Sequence, residues 1–175
     1  GNFTVPVALP PGRNGFQPQL SLAYSTGSGN GPFGLGWSLS VPGVSRMSSK
    51  GIPRYRGNPA DPKPDIFILS GAEDLVPVDG APPGAQRFRP RTEGLFALID
   101  YFHGGANDYW RVQSKDGLTS FYGAAESVGA DPPVIANPDD RAKVFAWKLS
   151  RTEDPFGNRI EYDYLRDAGK DGPRQ

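Results

Sequence analysis

No cysteine occurs in the chain, which excludes disulfides, thiolate metal sites and cysteine nucleophiles while leaving the cellular compartment open. Charge of one sign is lacking as well: 19 basic and 19 acidic residues cancel, so no long-range field steers the chain to nucleic acid or to an anionic membrane. No apolar run approaches the ~20 residues of a membrane helix, and no basic-plus-apolar leader stands before Gly1. Direct membrane insertion is therefore not expected, and an export signal is expected outside these residues. Histidine occurs once, as His103 in a Gly-rich turn with no serine, cysteine or paired carboxylate motif nearby, so it reads as a surface or packing residue.

Glycine and proline are abundant instead. The 23 glycines and 19 prolines make up about a quarter of 175 residues, a level that approaches low-complexity disorder. Ten Phe, seven Tyr and three Trp interleaved at period two argue against disorder, because they supply the apolar surface that disordered segments lack. Three alternating segments lead the chain: Phe3/Val5/Val7/Leu9, Leu20/Leu22/Tyr24 and Trp37/Leu39/Val41. Turn-rich stretches separate them, so an antiparallel β-meander with one buried face is expected. Trp37 follows Gly34-Leu35-Gly36 and is expected to bury its ring beneath that turn.

Further along, Asp65–Leu69 and Glu73–Val78 bracket Ser70-Gly71-Ala72 as a hairpin. The stretches 57–64 and 79–90 read as Pro/Gly loops. Residues 93–102 form the longest apolar run, the pattern of a strand covered on both faces. Tyr109–Ser114 and Leu118–Tyr122 flank Asp116-Gly117, a strong hairpin signal. Residues 124–140 are irregular in pattern, with one helical turn possible over 139–143. Val144–Glu153 and Arg159–Leu165 alternate again around the turn Asp154-Pro155-Phe156-Gly157-Asn158. The fold class is all-β, with helix below ~10% against a globular norm near a third.

Candidate chemistry is sparse. Glu73-Asp74 reads as a polar turn whose carboxylates bond nearby amides. Gly27 to Gly36 has Pro32 and Phe33 where a phosphate-binding loop would begin its helix, so it is turn architecture. Neither Asp61–Asp65 nor Asn137–Asp140 has the ligand spacing of a calcium loop. No catalytic, cofactor-binding or metal-ligating residue is assigned, and the chain is read as not an enzyme.

Several ungapped motifs carry a resemblance. Pro11-Gly12-Arg13-Asn14-Gly15, then Pro18-x-Leu20-x-Leu22-x-Tyr24, Gly29-Asn30-Gly31-Pro32-Phe33-Gly34-x-Gly36-Trp37 and Gly51-Ile52-Pro53-Arg54-Tyr55 resemble the N-terminal domain of the Salmonella virulence plasmid B protein family, which includes the B subunits of insecticidal toxin complexes. The likeness continues through Phe67–Val76, Asp116-Gly117 and Tyr122-Gly123, and spans roughly the whole chain. Asp154-x-x-Gly157-Asn158-x-x-x-Tyr162-x-Tyr164 resembles the Rhs/YD repeat, so residues 1–143 are expected to form the family's N-terminal β module and 144–175 a first Rhs/YD-like hairpin. One repeat cannot bury its own face. The chain is therefore expected to be part of a longer polypeptide that continues into a repeat array.

The resemblance implies a non-catalytic structural module of a secreted toxin, made in the bacterial cytoplasm. It would form part of a β-shell that encloses a C-terminal effector and docks on a translocating A subunit. The ADP-ribosyltransferase activity of some relatives is not implied, because its Glu-x-Glu motif is absent from the sequence. A second reading of the residues is a free-standing β-sandwich that binds sugars or a protein surface through Tyr109, Trp110 and Tyr122. An open apolar face separates the two, since a shell piece should have one and a sandwich should not.

Overall fold

The computed structural model describes residues 2–49, 51–55, 64–70, 73–92, 97–104, 107–123 and 132–165. It is 2% helical and 49% strand, so the all-β expectation holds. Two compact units divide the chain, residues 1–42 and 43–175.

In the first unit, β1 (Asn2–Pro6), β2 (Ser21–Ser25) and β5 (Trp37–Ser40) form an antiparallel sheet in that order, the expected meander. The strands form where the sequence alternates, and the connections form where glycine or asparagine admits positive φ. Arg13–Gly15 makes a single 3-10 turn in which Asn14 stands at φ 53°. A two-residue ladder, β3 (Asn30–Gly31) with β4 (Gly34–Leu35), decorates the β2–β5 connection.

In the second unit, β6 (Gly43–Arg46), β7 (Phe67–Leu69), β8 (Glu73–Val78), β9 (Ala85–Pro90), β10 (Ala97–Phe102), β11 (Tyr109–Ser114) and β12 (Thr119–Tyr122) pair each with the next. They are followed by β13 (Val134–Ala136), β14 (Val144–Glu153) and β15 (Arg159–Glu161). β14 pairs both β6 and β12, so eight strands, β6 to β12 and β14, close into a ring. Closure removes the sheet edges that otherwise invite aggregation. β14 carries four neighbours: β6 and β13 along its first half, β12 and β15 along its second, with a register shift at Leu149 to Arg151 between the halves.

The ring is filled by side chains from alternate positions. Phe67 packs against Trp110 at 4.9 Å, Tyr101 at 5.5 Å, Phe88 at 5.6 Å and Trp147 at 5.9 Å, and Tyr101 stacks on Trp110 at 4.4 Å. Ile99, Trp110, Val44 and Trp147 are fully buried there. Burying each such side chain contributes roughly 1.5–3 kcal/mol, so this cluster dominates the unit's stability.

Several details differ from the sequence reading. β9 lies inside the stretch read as a loop over 79–90, because Phe88 and Pro90 turn inward while Arg87 and Arg89 face out. β13 lies within the stretch read as irregular, and residues 137–143 form turns: Asn137 Oδ1 accepts from the Asp139 amide at 2.8 Å and Asp140 Oδ1 from the Ala142 amide at 3.2 Å. The hairpin β7–β8 forms with Ser70 at φ 53°, and Gly71, expected to be available for a positive φ, lies outside the described residues. β14, the strand that closes the ring, begins at Val144, and the compact units divide between Pro42 and Gly43. Residues 56–63, Gly71, Ala72, 93–96 and 124–131 lie outside the described residues.

Candidate interaction surface

The three-stranded sheet has two chemically different faces. Its register places Phe3 opposite Tyr24 and Tyr24 opposite Trp37, with Val5, Leu22 and Leu39 forming the next row. The other face shows Thr4, Ala23, Ser38, Ser21 and Ser40. Phe3 is 65% exposed, Val5 48% and Leu39 39%, so the apolar face is substantially open. Isolated apolar residues on a surface are ordinary, but a contiguous apolar row marks an interaction site.

Trp37 is a correction. It is half-buried against Tyr24 at a ring separation of 5.2 Å, and the buried residue of that turn is Gly36. A Cβ at position 36 would stand 2.5 Å from Tyr24 Cε2, and φ there is +81°. The small residue lets the backbone pass close to Tyr24, one strand away from the ring that sequence had singled out.

The ring unit offers no comparable opening among the aromatics named for binding. Trp110 is fully buried and Tyr122 nearly so, while Tyr109 stacks on Phe102 at 4.7 Å. Burial, and then the charge of Tyr162, push the Tyr122 phenol up to about 12. Trp110 and Tyr122 are core, while Tyr109 is half-buried on the outer face of β11, so the three do not share one exposed face for stacking on a sugar.

Polar groups in this unit are used structurally. Arg46, 4% exposed, donates to the Val144 carbonyl and to Asp65 Oδ2, each at 2.8 Å, and its guanidinium lies over the rings of Phe67, Tyr55 and Trp147. Asp65 also accepts the amides of Arg54 and Tyr55 at 2.9 and 2.8 Å, which leaves its oxygens occupied rather than open to a cation. Tyr101 donates to Asp108 Oδ2 at 2.8 Å, and burial followed by that bond raises its phenol well above the ordinary value. On the outer face, Asp100 is fully buried between Arg87 and Arg111, at 2.7 and 2.9 Å.

Asp74 pairs Arg91 at 3.6 Å on a partly exposed strand, and His103 is exposed beside the Tyr101 ring. Among the described residues no group of three or more His, Cys, Asp or Glu side chains is placed to hold a metal ion. Among the same residues no helix is long and apolar enough to cross a membrane.

The turn Asp154–Asn158 is a closed hydrogen-bonded unit. Asp154 Oδ1 accepts the amides of Phe156 and Asn158 at 2.9 and 2.8 Å, and Oδ2 accepts Asn158 Nδ2 at 2.7 Å. Gly157 stands at φ +84°, and Tyr164 donates to the Leu149 carbonyl at 2.7 Å, tying the chain after β15 back to β14.

The family described as Salmonella virulence plasmid 65kDa B protein (SpvB) matches residues 1–175. The chain belongs to the SpvB family. It is 30% identical over 183 residues to the mono(ADP-ribosyl)transferase SpvB of Salmonella typhimurium, covering 96% of this chain and 30% of that protein. The solved N-terminal domain of effector protein SpvB from Salmonella typhimurium strain LT2 superimposes with a TM-score of 0.78 at 28% identity, over 97% of this chain and 56% of that one. The crystal structure of TcdB2-TccC3 gives a TM-score of 0.79 at 27% identity, over 96% of this chain and 8% of the other. The chain is thus similar to a module of toxin and virulence proteins and spans under a third of the curated relative it matches.

Proposed function

We propose that this SpvB-type chain is a non-catalytic structural module, one part of a β-sheet wall that encloses a toxic effector in a secreted bacterial toxin. The open apolar face of Phe3, Val5 and Leu39 carries this reading. A finished sandwich or a binding lectin would cover or polarise such a face, whereas a wall element needs its neighbours to cover it. The packed ring unit fits the same role: its interior is occupied by rings, so it acts by shape and stiffness. The hairpin β14–β15, with its Asp154–Asn158 turn and Tyr162/Tyr164, is the place where Rhs/YD-type hairpins would continue the wall. Any toxic activity would belong to another domain of the longer polypeptide, and a translocating A subunit would be the partner at delivery.

Dye binding and enclosure test the proposal together. The chain by itself should enhance the fluorescence of a hydrophobic dye, and a Phe3→Ser/Val5→Ser variant should do so much less. In the longer polypeptide that carries these residues the dye signal should vanish, and the same double variant should leave the effector open to protease. An effector that stays fully protected in the double variant would defeat the wall reading.

A further inference from the structure

The sheet of the first unit has an unguarded edge. Among the described residues β1 has β2 as its single strand neighbour, while the far edge, at β5, is approached by β3 and by the bond from the Gly36 amide to the Gly29 carbonyl at 3.1 Å. The Val7 amide donates to the Leu20 carbonyl at 2.9 Å, which fixes the phase of the β1–β2 ladder. Antiparallel alternation then turns Phe3, Val5 and Val7 toward β2 and points the amide and carbonyl of Thr4, and those of Asn2, away from the sheet. Pro6, the next outward position, has a carbonyl and no amide.

Edge strands are ordinarily protected by charged side chains, bulges or covering loops. Protection by charge is missing here. Arg13 is the one charged residue among the first 45, and the rest of the 19 basic and 19 acidic residues follow them. Both the edge and the apolar face beside it are therefore uncharged, and a charged partner strand would lose its hydration with nothing to pair against.

We propose that the outer edge of β1 takes up one further β-strand, uncharged and apolar at alternate positions, supplied by a second toxin subunit. The inference rests on the wall reading and adds which edge is paired and by what chemistry. The incoming strand exchanges hydrogen bonds with Asn2 and Thr4, donates to the Pro6 carbonyl where the pairing ends, and sets its apolar side chains beside Phe3 and Val5. A second copy of this chain is the poorer occupant, because antiparallel self-pairing about Thr4 sets each Pro6 against the other Asn2 and forfeits a donor at both ends. A two-subunit relative, TcdB2-TccC3, shares the fold.

Amide hydrogen exchange at Thr4 tests this in the full-length polypeptide, first alone and then with the purified second subunit. Exchange should slow by roughly tenfold or more only when the subunit is added. Thr4→Pro removes the outward donor and no β1–β2 bond, so it should weaken subunit binding roughly three- to tenfold without shifting the unfolding midpoint. Thr4→Ala should bind like the parent. Protection already present in the polypeptide alone would assign the edge to its own chain, and concentration-dependent protection would assign it to a second copy; either overturns the proposal. Unprotected Thr4, in a complex whose effector the Phe3→Ser/Val5→Ser variant still exposes, would sink the edge inference alone. If that variant also leaves enclosure intact, the wall reading falls with it.

Discussion

Gly123 lies against the indole of Trp147 at the seam where β12 meets β14: a Cβ at position 123 would stand 2.3 Å from Trp147 Cδ1 and 3.2 Å from the Asp108 carbonyl. The same glycine stands at φ +86° and donates its amide to the Lys148 carbonyl at 3.0 Å. Trp147 in turn donates from Nε1 to the Asp108 carbonyl at 3.2 Å. Closure of the ring thus depends on a position without a side chain.

Gly123→Ala should destabilise the second unit by about 3 kcal/mol, combining the left-handed backbone penalty with overpacking against a fixed ring. Chemical denaturation of the variant measures it, and an unchanged midpoint would contradict the tight approach.

Asp100 makes a pH prediction. Burial by itself would raise its carboxyl, and the hydrogen bonds and charges of Arg87 and Arg111 outweigh it, leaving the folded value below the ordinary one. A lowered folded value means the stabilisation is fully present above the unfolded carboxylate value of about 3.9 and is lost as pH falls through the folded value. Asp100→Asn should flatten the acid limb of stability against pH below about 4, with little change in slope near neutrality. An acid limb identical to the parent's would show that the arginine clamp contributes nothing.

Asp100→Ala at neutral pH should cost about 2 kcal/mol. That is less than the 3–5 kcal/mol of breaking a fully buried pair, because Arg87 and Arg111 are 21% and 29% exposed and can turn to water. Thermal unfolding of the variant checks the value.

Two tryptophans should separate. Trp147→Ala, in the filled ring, should cost roughly 3–5 kcal/mol, whereas the half-buried Trp37→Ala should cost about 1–2 kcal/mol and act on the first unit. Equal losses would mean that Trp37 is more deeply packed than its exposure indicates.

The Asp154 turn gives a local readout. Asn158 donates to both Asp154 oxygens, so Asp154→Ala should speed amide exchange at Phe156 and Asn158 while leaving Trp110 and the ring core protected. Loss of protection throughout the second unit would make this turn a keystone of the ring instead of a hairpin tip.

The sequence by itself determined the strands that alternate and the turns that need particular residues. The meander of β1, β2 and β5, the hairpin at Asp116-Gly117 and the closed turn at Asp154–Asn158 all follow from period-two patterning and from residues tolerant of positive φ, which are local properties. The family resemblance was legible for the same reason, since its motifs are mostly turns. The open face was readable only as an alternation, because exposure depends on what packs against a strand. Tertiary structure alone decided that β14 pairs both β6 and β12, that β9 is a strand despite its Pro/Gly neighbours, that Asp100 is buried by two arginines from adjacent strands, and that Gly36 rather than Trp37 is the buried residue of its turn. Each of these depends on which strands become neighbours and in what register. A strand carries no record of its partner, because the hydrogen-bonding groups that pair it are the same on every residue except proline.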